Sequence, residues 1–82
     1  MSTFIGIDVT TKDAKALLRR LKSLKTTLAV CDGGMYHADR NYSQVWLHTT
    51  WSEDKTEEWV YNCRLDYQGV FELNELQREA LG

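Results

Sequence analysis

The chain has 82 residues, of which 43% are hydrophobic and 27% charged, and its formal net charge at pH 7 is −2. This length predicts one domain over residues 1–82 with a single two-layer core, and the apolar content argues against disorder. The small net charge argues against a uniformly basic nucleic-acid-binding chain, and the lack of proline argues against Pro-rich recognition tails.

The first third of the chain predicts a strand followed by a long helix. Residues 4–9 alternate between aliphatic side chains and Phe, Gly or Asp, which is the pattern of a strand with one apolar face. Thr10 stands three residues before Asp13, the spacing of a capping box, and predicts a helix over about residues 11–25. Apolar residues recur at helical spacing in that segment and form its predicted buried stripe: Ala14, Leu17, Leu18, Leu21 and Leu24.

The middle of the chain predicts short strands separated by turns. Residues 26–32 indicate a strand that stops at the turn Asp32–Gly34, and residues 35–42 indicate a strand, a loop or both. Residues 43–51 and 58–65 alternate between apolar and polar side chains and predict two further strands.

The C-terminal segment predicts a last strand over residues 70–73 and a helix over about residues 75–81, which Asn74 and Gln77 would cap reciprocally. The resulting order of elements is β-α-β-β-β-β-α. We therefore predict an α+β two-layer sandwich, an antiparallel meander of about 4–5 strands with both helices on one face. The long helix, about residues 11–25, is the basic one.

Charge is the most organised polar feature of the sequence. Residues 12–25 contain six bases and one acid, a charge of +5, whereas residues 53–82 contain eight acids and three bases, a charge of −5. At about 100° per residue, four of the helix bases fall on the face away from the leucines, namely Lys12, Lys15, Arg19 and Lys22. Arg20 falls on the other flank of the helix. Two interpretations stay open, a solvated helix face or a docking surface for phosphates or an acidic protein patch.

Aromatic residues indicate a second candidate surface. Alternation within the strand 43–51 places Trp46 and His48 on the face away from its aliphatic residues, and Arg64 falls on the same face of the next predicted strand. If this face is open, an exposed Trp beside Arg has the composition of a protein-binding hot spot. The alternative is that the second helix or residues 35–43 cover it.

The stretch Phe4–Asp8 resembles the first strand of actin-like ATPases and ribonuclease-H-like nucleases, in which an Asp binds metal or organises a phosphate. Those families usually place Gly after that Asp, where Val9 follows here, and their sites collect carboxylates from several strands. We therefore interpret Asp8 as a structural residue near the N-terminus of the first helix, where a negative charge is favourable.

Candidate metal ligands and nucleophiles are few. The candidate ligands are Cys31, His37, His48 and Cys63. They lack the closely spaced pairs of structural zinc sites, so we predict no metal and no cofactor. Cys31 near His37 and Asp39 has the residue types for nucleophilic catalysis, but the Asp-Gly-Gly turn explains this segment without chemistry. The sequence shows no secretory signal pattern and no long apolar run, so we expect a cytoplasmic protein whose cysteines are thiols.

These features predict a protein-binding module that is not an enzyme and that occupies a partner's surface. In size and lack of motifs the chain resembles small phage or mobile-element inhibitors of host defence complexes, such as anti-CRISPR proteins. The predicted contact residues are Lys12, Lys15, Arg19, Arg20, Lys22, Trp46, His48 and Arg64. The alternatives are a nucleic-acid-binding protein that uses residues 12–25 against phosphates, and a small-ligand binder or enzyme around Cys31 and His37. A homodimer is compatible with each of these, and no membrane partner is expected.

Overall fold

A computed structural model describes residues 2–82 as a single sheet with helices packed against it. The elements are β1 (Thr3–Thr10), α1 (Thr11–Lys22), β2 (Thr27–Met35), β3 (Tyr42–Thr49), α2 (Glu53–Asn62), β4 (Tyr67–Glu72) and α3 (Glu75–Glu79). The four strands lie in the order β2-β3-β1-β4, and every neighbouring pair is antiparallel. The predicted α+β class, a layer of helices on an antiparallel sheet, is confirmed.

The helices α1 and α2 make the crossovers between strands that are not neighbours. α1 connects β1 to β2, and α2 connects β3 to β4, so each helix carries the chain past one intervening strand. This arrangement is the split β-α-β, or ferredoxin-like, topology, to which α3 is added. The predicted meander is wrong, because in a meander each strand pairs with the next strand in the chain, whereas here β1 pairs with both β3 and β4.

The helix α2 occupies the segment for which a strand over residues 58–65 is predicted, and that prediction is wrong. Ser52 is the N-cap and accepts a hydrogen bond from the amide of Lys55 at 3.2 Å, and acidic residues follow in the first turn. Thr56 and Val60, one helical turn apart, are both completely buried. The cap and this spacing decide the local structure, and the alternation of aromatic residues does not.

The segment Asp32–Gly34 is a bulge within β2 and not the predicted turn. The carboxylate of Asp32 accepts a hydrogen bond from the amide of Gly34 at 2.8 Å. Gly34 has a φ of 93°, a conformation that favours glycine. β2 therefore continues to Met35, and residues 36–41 form the connection to β3.

The helix termini confirm one predicted capping box and correct the other. Asn74 and Gln77 bond reciprocally at the start of α3, with both distances 2.9 Å. α1 begins at Thr11 as predicted and ends at Lys22, but the side chain of its N-cap, Thr10, makes no capping bond. The carboxylate of Asp13 instead accepts from the amide of Asp66 at 3.0 Å, which ties the first turn of α1 to the segment before β4.

The hydrophobic core lies between the sheet and the two longer helices. The strands contribute Ile5, Ile7, Val9, Val45 and Leu47, and the helices contribute Ala14, Leu17, Leu21 and Val60. The predicted stripe of α1 faces this core, with Leu18 and Leu24 partly buried at its margin. Burial of this apolar surface is the main driving force that holds the helices on one face of the sheet.

Candidate functional site

The face of the sheet opposite α1 and α2 presents aromatic side chains. In β3, Trp46 and His48 alternate with core residues such as Leu47, which is 1% exposed. Phe4 of β1 pairs with His48. Phe71 of β4 pairs with Gly6, which pairs in turn with Trp46, so Phe4 and Phe71 lie on the same side of the sheet as Trp46 and His48. We call the surface formed by Phe4, Trp46, His48 and Phe71 the aromatic face.

Two of these rings cover glycines of neighbouring strands. A Cβ atom at Gly6 would stand 2.1 Å from Cζ of Phe71, and one at Gly33 would stand 2.4 Å from Nε1 of Trp46. The indole N–H of Trp46 donates to the side-chain oxygen of Gln44 at 2.7 Å. The polar atom of the indole is thereby satisfied within the protein, and the ring is held in one orientation.

The other two rings of the aromatic face form a stack. The centroids of Phe4 and His48 are 4.0 Å apart with an interplanar angle of 10°. The guanidinium carbon of Arg78 is 5.0 Å from the Phe4 centroid, and its Nη2 forms an ion pair with Glu72 at 3.1 Å. α3 therefore contacts the side of the sheet away from the core, which corrects the prediction that the C-terminal helix covers the same face as α1.

Beyond Gly6 along β1, the surface becomes polar. A depression of about 300 Å³, which we call the acidic depression, is lined by Asp8, Tyr36, Ala38, Asp39, Tyr42 and Gln68. The hydroxyl of Tyr36 donates to the carboxylate of Asp8. Burial raises the pKa of Tyr36 above its ordinary value, and the hydrogen bond to Asp8 adds to this, so the phenol is protonated at neutral pH.

The predicted basic residues of α1 lie on the opposite side of the molecule. Lys12, Lys15, Arg19 and Lys22 are exposed, and we call them the basic stripe. Among residues 2–82 none of the four forms an ion pair. Arg20 lies apart from them, because its guanidinium donates to the carbonyl of Cys63 at 3.1 Å, where the C-terminus of α2 favours a cation.

Arg64 belongs to the helical side and not to the aromatic face. It follows the C-cap of α2, with a φ of 59°, in a turn and not in a strand. There it lines, with Lys12 and Tyr61, a groove of about 610 Å³ between the start of α1 and the end of α2. The molecule is 19 Å across its shortest extent, so one flat partner surface cannot contact the basic stripe and the aromatic face together.

The structure places the residues proposed for nucleophilic chemistry on β2 and on the connection that follows it. Cys31 pairs across the sheet with Trp46, and within residues 2–82 no hydrogen bond links it to His37. Burial, together with the charge of Asp32, raises the pKa of the Cys31 thiol, which disfavours the reactive thiolate. In the same described range, no group of three or more His, Cys, Asp or Glu side chains is placed to hold a metal ion.

The comparisons with known proteins give no assignment. No protein-family model, curated protein or solved structure matches the chain. Within residues 2–82, none of the helices has the length and apolar character needed to cross a membrane.

Two residues of the aromatic face, Phe4 and Phe71, are absent from the predicted contacts. Phe4 has a visible signal, because it alternates with Ile5 and so must lie on the side away from the core. Gly6 has another, since glycine inside a strand often marks close approach of another group, here the ring of Phe71. The pairing of Phe71 with Gly6 needs the position of β4 beside β1, which the sequence pattern does not reveal.

Proposed function

We propose that this chain is a non-catalytic protein-binding module whose aromatic face occupies the surface of a partner protein. The observation that carries the proposal is the fixed arrangement of four aromatic rings on a sheet face that neither α1 nor α2 covers. In its finer form, the partner is a host defence complex and the chain is a small phage or mobile-element inhibitor, acting in the cytoplasm.

Preorganisation supports binding through this face. The indole of Trp46 is held by Gly33 and Gln44, and the Phe4 ring is held between contacts to His48 and Arg78. Rings that are ordered before binding lose little conformational freedom on binding, which removes one of the main costs of association. Tryptophan, the residue type of Trp46, is also among those most enriched in the energetic centres of protein interfaces.

The experiment compares variants of the tagged protein as bait in host lysate, with and without nuclease treatment. We expect a discrete protein to be retained after nuclease by the wild type and to fall at least about tenfold for Trp46→Ala, since hot-spot truncations cost about 2 kcal/mol or more. Tyr61→Ala is the matched control, because Tyr61 is an aromatic residue on α2 that is 70% exposed and remote from the aromatic face.

Thermal unfolding of each variant confirms that it is folded before it is used. Equal retention of the same protein by wild type and Trp46→Ala would show the proposal to be wrong. Once the partner is identified, its activity should fall in proportion to added protein up to a fixed stoichiometry. Sedimentation of the free chain tests the predicted homodimer separately.

A second candidate function is nucleic-acid binding through the basic stripe. It is favoured by one observation, that four exposed cations follow one side of α1 and form no ion pair within residues 2–82. Phosphate contacts would give an affinity that falls steeply with salt, with a log–log slope of about −0.9 for each phosphate neutralised. The triple change Lys15→Glu, Arg19→Glu and Lys22→Glu would abolish this binding, whereas Trp46→Ala would leave it intact.

A further inference from the structure

We propose that the partner segment bound by the aromatic face carries an arginine or lysine beside an apolar anchor, and that this cation enters the acidic depression. The inference rests on the proposed function, because it specifies the chemistry of the protein that the aromatic face binds. It follows from the charges, the walls and the position of the depression.

Both carboxylates of the acidic depression accept hydrogen bonds, but among the described residues neither meets a basic side chain in an ion pair. Asp8 accepts from the hydroxyl of Tyr36, and Asp39 accepts from the amide of Asn41 at 3.0 Å. The ion pair found within residues 2–82 joins Arg78 and Glu72 and involves neither Asp8 nor Asp39. A basic side chain from a partner would therefore meet two negative charges that nothing in the described chain neutralises.

The walls of the acidic depression also suit a cation. Tyr36 and Tyr42 line it, and the side-chain amide of Gln68 donates to the hydroxyl of Tyr42 at 3.4 Å. Aromatic rings attract a guanidinium or ammonium group that lies over them. The planar guanidinium has several donors and can bond a carboxylate through two of them, so arginine fits this site better than lysine.

The position of the depression links it to the aromatic face. Asp8 stands two residues from Gly6 on β1, a distance of about 7 Å along a strand. Its cross-strand partner is Gln44, the residue that holds the Trp46 indole. An apolar side chain on the rings and a cation at Asp8 can therefore come from neighbouring residues of one extended segment.

The same charges argue against nucleic acid on this side of the molecule. Arg78 is the basic side chain that touches the rings of the aromatic face, and it is paired with Glu72. A phosphate placed beside the rings at the acidic depression would face the carboxylates of Asp8 and Asp39. The partner segment is therefore protein, with its charge opposite to that of the acidic depression.

The test is a selection from a library of displayed random linear peptides against the wild-type protein. Parallel selections use Trp46→Ala, the double variant Asp8→Asn with Asp39→Asn, and the control Asp54→Asn, which alters an exposed acid on α2. Asparagine keeps the acceptor that Tyr36 uses, so the double variant removes charge and leaves the hydrogen bond. We expect arginine or lysine beside an aromatic or aliphatic residue among the peptides that wild type and Asp54→Asn select, and a loss of that preference with the double variant.

The leading peptide is then synthesised with arginine and with citrulline, its neutral counterpart. We expect the citrulline peptide to bind wild type about tenfold more weakly, and the double variant to bind both peptides equally, because a hydrogen bond to a charged group is lost. Peptides that require Trp46 but show no basic preference would overturn this inference and leave the proposed function standing. A selection that yields no peptide dependent on Trp46 would overturn both.

Discussion

The two sides of the sheet are built from the same strands and are held in different ways. On the helical side, Ile7 of β1 is completely buried and Leu47 of β3 is 1% exposed, both beneath helices. On the other side, Phe71 and Trp46 are held by local contacts with Gly6 and Gly33. The helical side therefore supplies stability through burial, whereas the aromatic face is ordered by the fit of its rings on glycines and stays half-buried.

The largest expected difference in the free energy of unfolding is between truncations of two adjacent residues of β3. Leu47→Ala should lower the free energy of unfolding by about 2–5 kcal/mol, because it leaves a cavity in the core. His48→Ala removes one stacking contact with Phe4 and should cost about 1 kcal/mol or less. Urea unfolding of the two variants gives both values, and similar losses for the two would contradict the division of roles between the faces.

Glycine replacement tests the shape of the aromatic face. Gly6→Ala should lower the free energy of unfolding by about 1–3 kcal/mol, because its Cβ would overlap the Phe71 ring and force it off the sheet. Gly69→Ala is the matched control on β4, where no atom lies within 4 Å of an added Cβ. This change should alter stability by less than about 1 kcal/mol, in the stabilising direction. A loss as large for Gly69→Ala as for Gly6→Ala would show that the ring contact is not the cause.

The smallest effect concerns alkaline pH, at which both sides should lose stability. Burial raises the pKa of Cys31 above its ordinary value of 9.0 and the pKa of Tyr36 and Tyr67 above 10.0. Because the folded state holds these protons more tightly, their contribution is complete below the unfolded-state pKa and is lost as pH rises through the folded-state pKa. Urea midpoints should therefore fall from about pH 9 upward.

Each tyrosine can be removed to find its share of that alkaline loss. Tyr36 lies at the acidic depression, and Tyr67 packs against the core and donates to Glu57 at 3.4 Å. Tyr36→Phe and Tyr67→Phe should each make the decline of the urea midpoint with pH shallower than in the wild type. An unchanged decline in both variants would mean that other groups cause it.

Sequence patterns within a few neighbouring residues predict several elements of the fold correctly. The strand β1, the start of α1 and the capping box of α3 are all readable from a few neighbouring residues. The α2 segment could not be assigned from its alternation, because aromatic residues at Trp59 and Tyr61 mimic a strand while Ser52 caps a helix. The sheet order needs contacts between distant segments, which no local pattern specifies.

The candidate site, like the fold, is predictable from the sequence only where it depends on local periodicity. The exposed bases of α1 and the sidedness of Trp46 and His48 follow directly from helix and strand periodicity. Arg64 is misplaced because its assignment depends on the strand that is in fact α2. The acidic depression brings together Asp8 and the 36–41 connection, which are distant in sequence, so only the folded chain shows it.

The alternation along β1 and β3 has a consequence for how this protein can change over generations. Odd-numbered positions such as Ile5, Ile7 and Leu47 face the interior, while the even-numbered positions between them face the other side, where Gly6 is constrained by the Phe71 ring. Away from Gly6, the side of the sheet that carries the aromatic face can therefore change residue by residue without rebuilding the interior. Saturation mutagenesis of β3 should show this as a two-residue rhythm in the stability of the variants, with the largest losses at the odd-numbered positions.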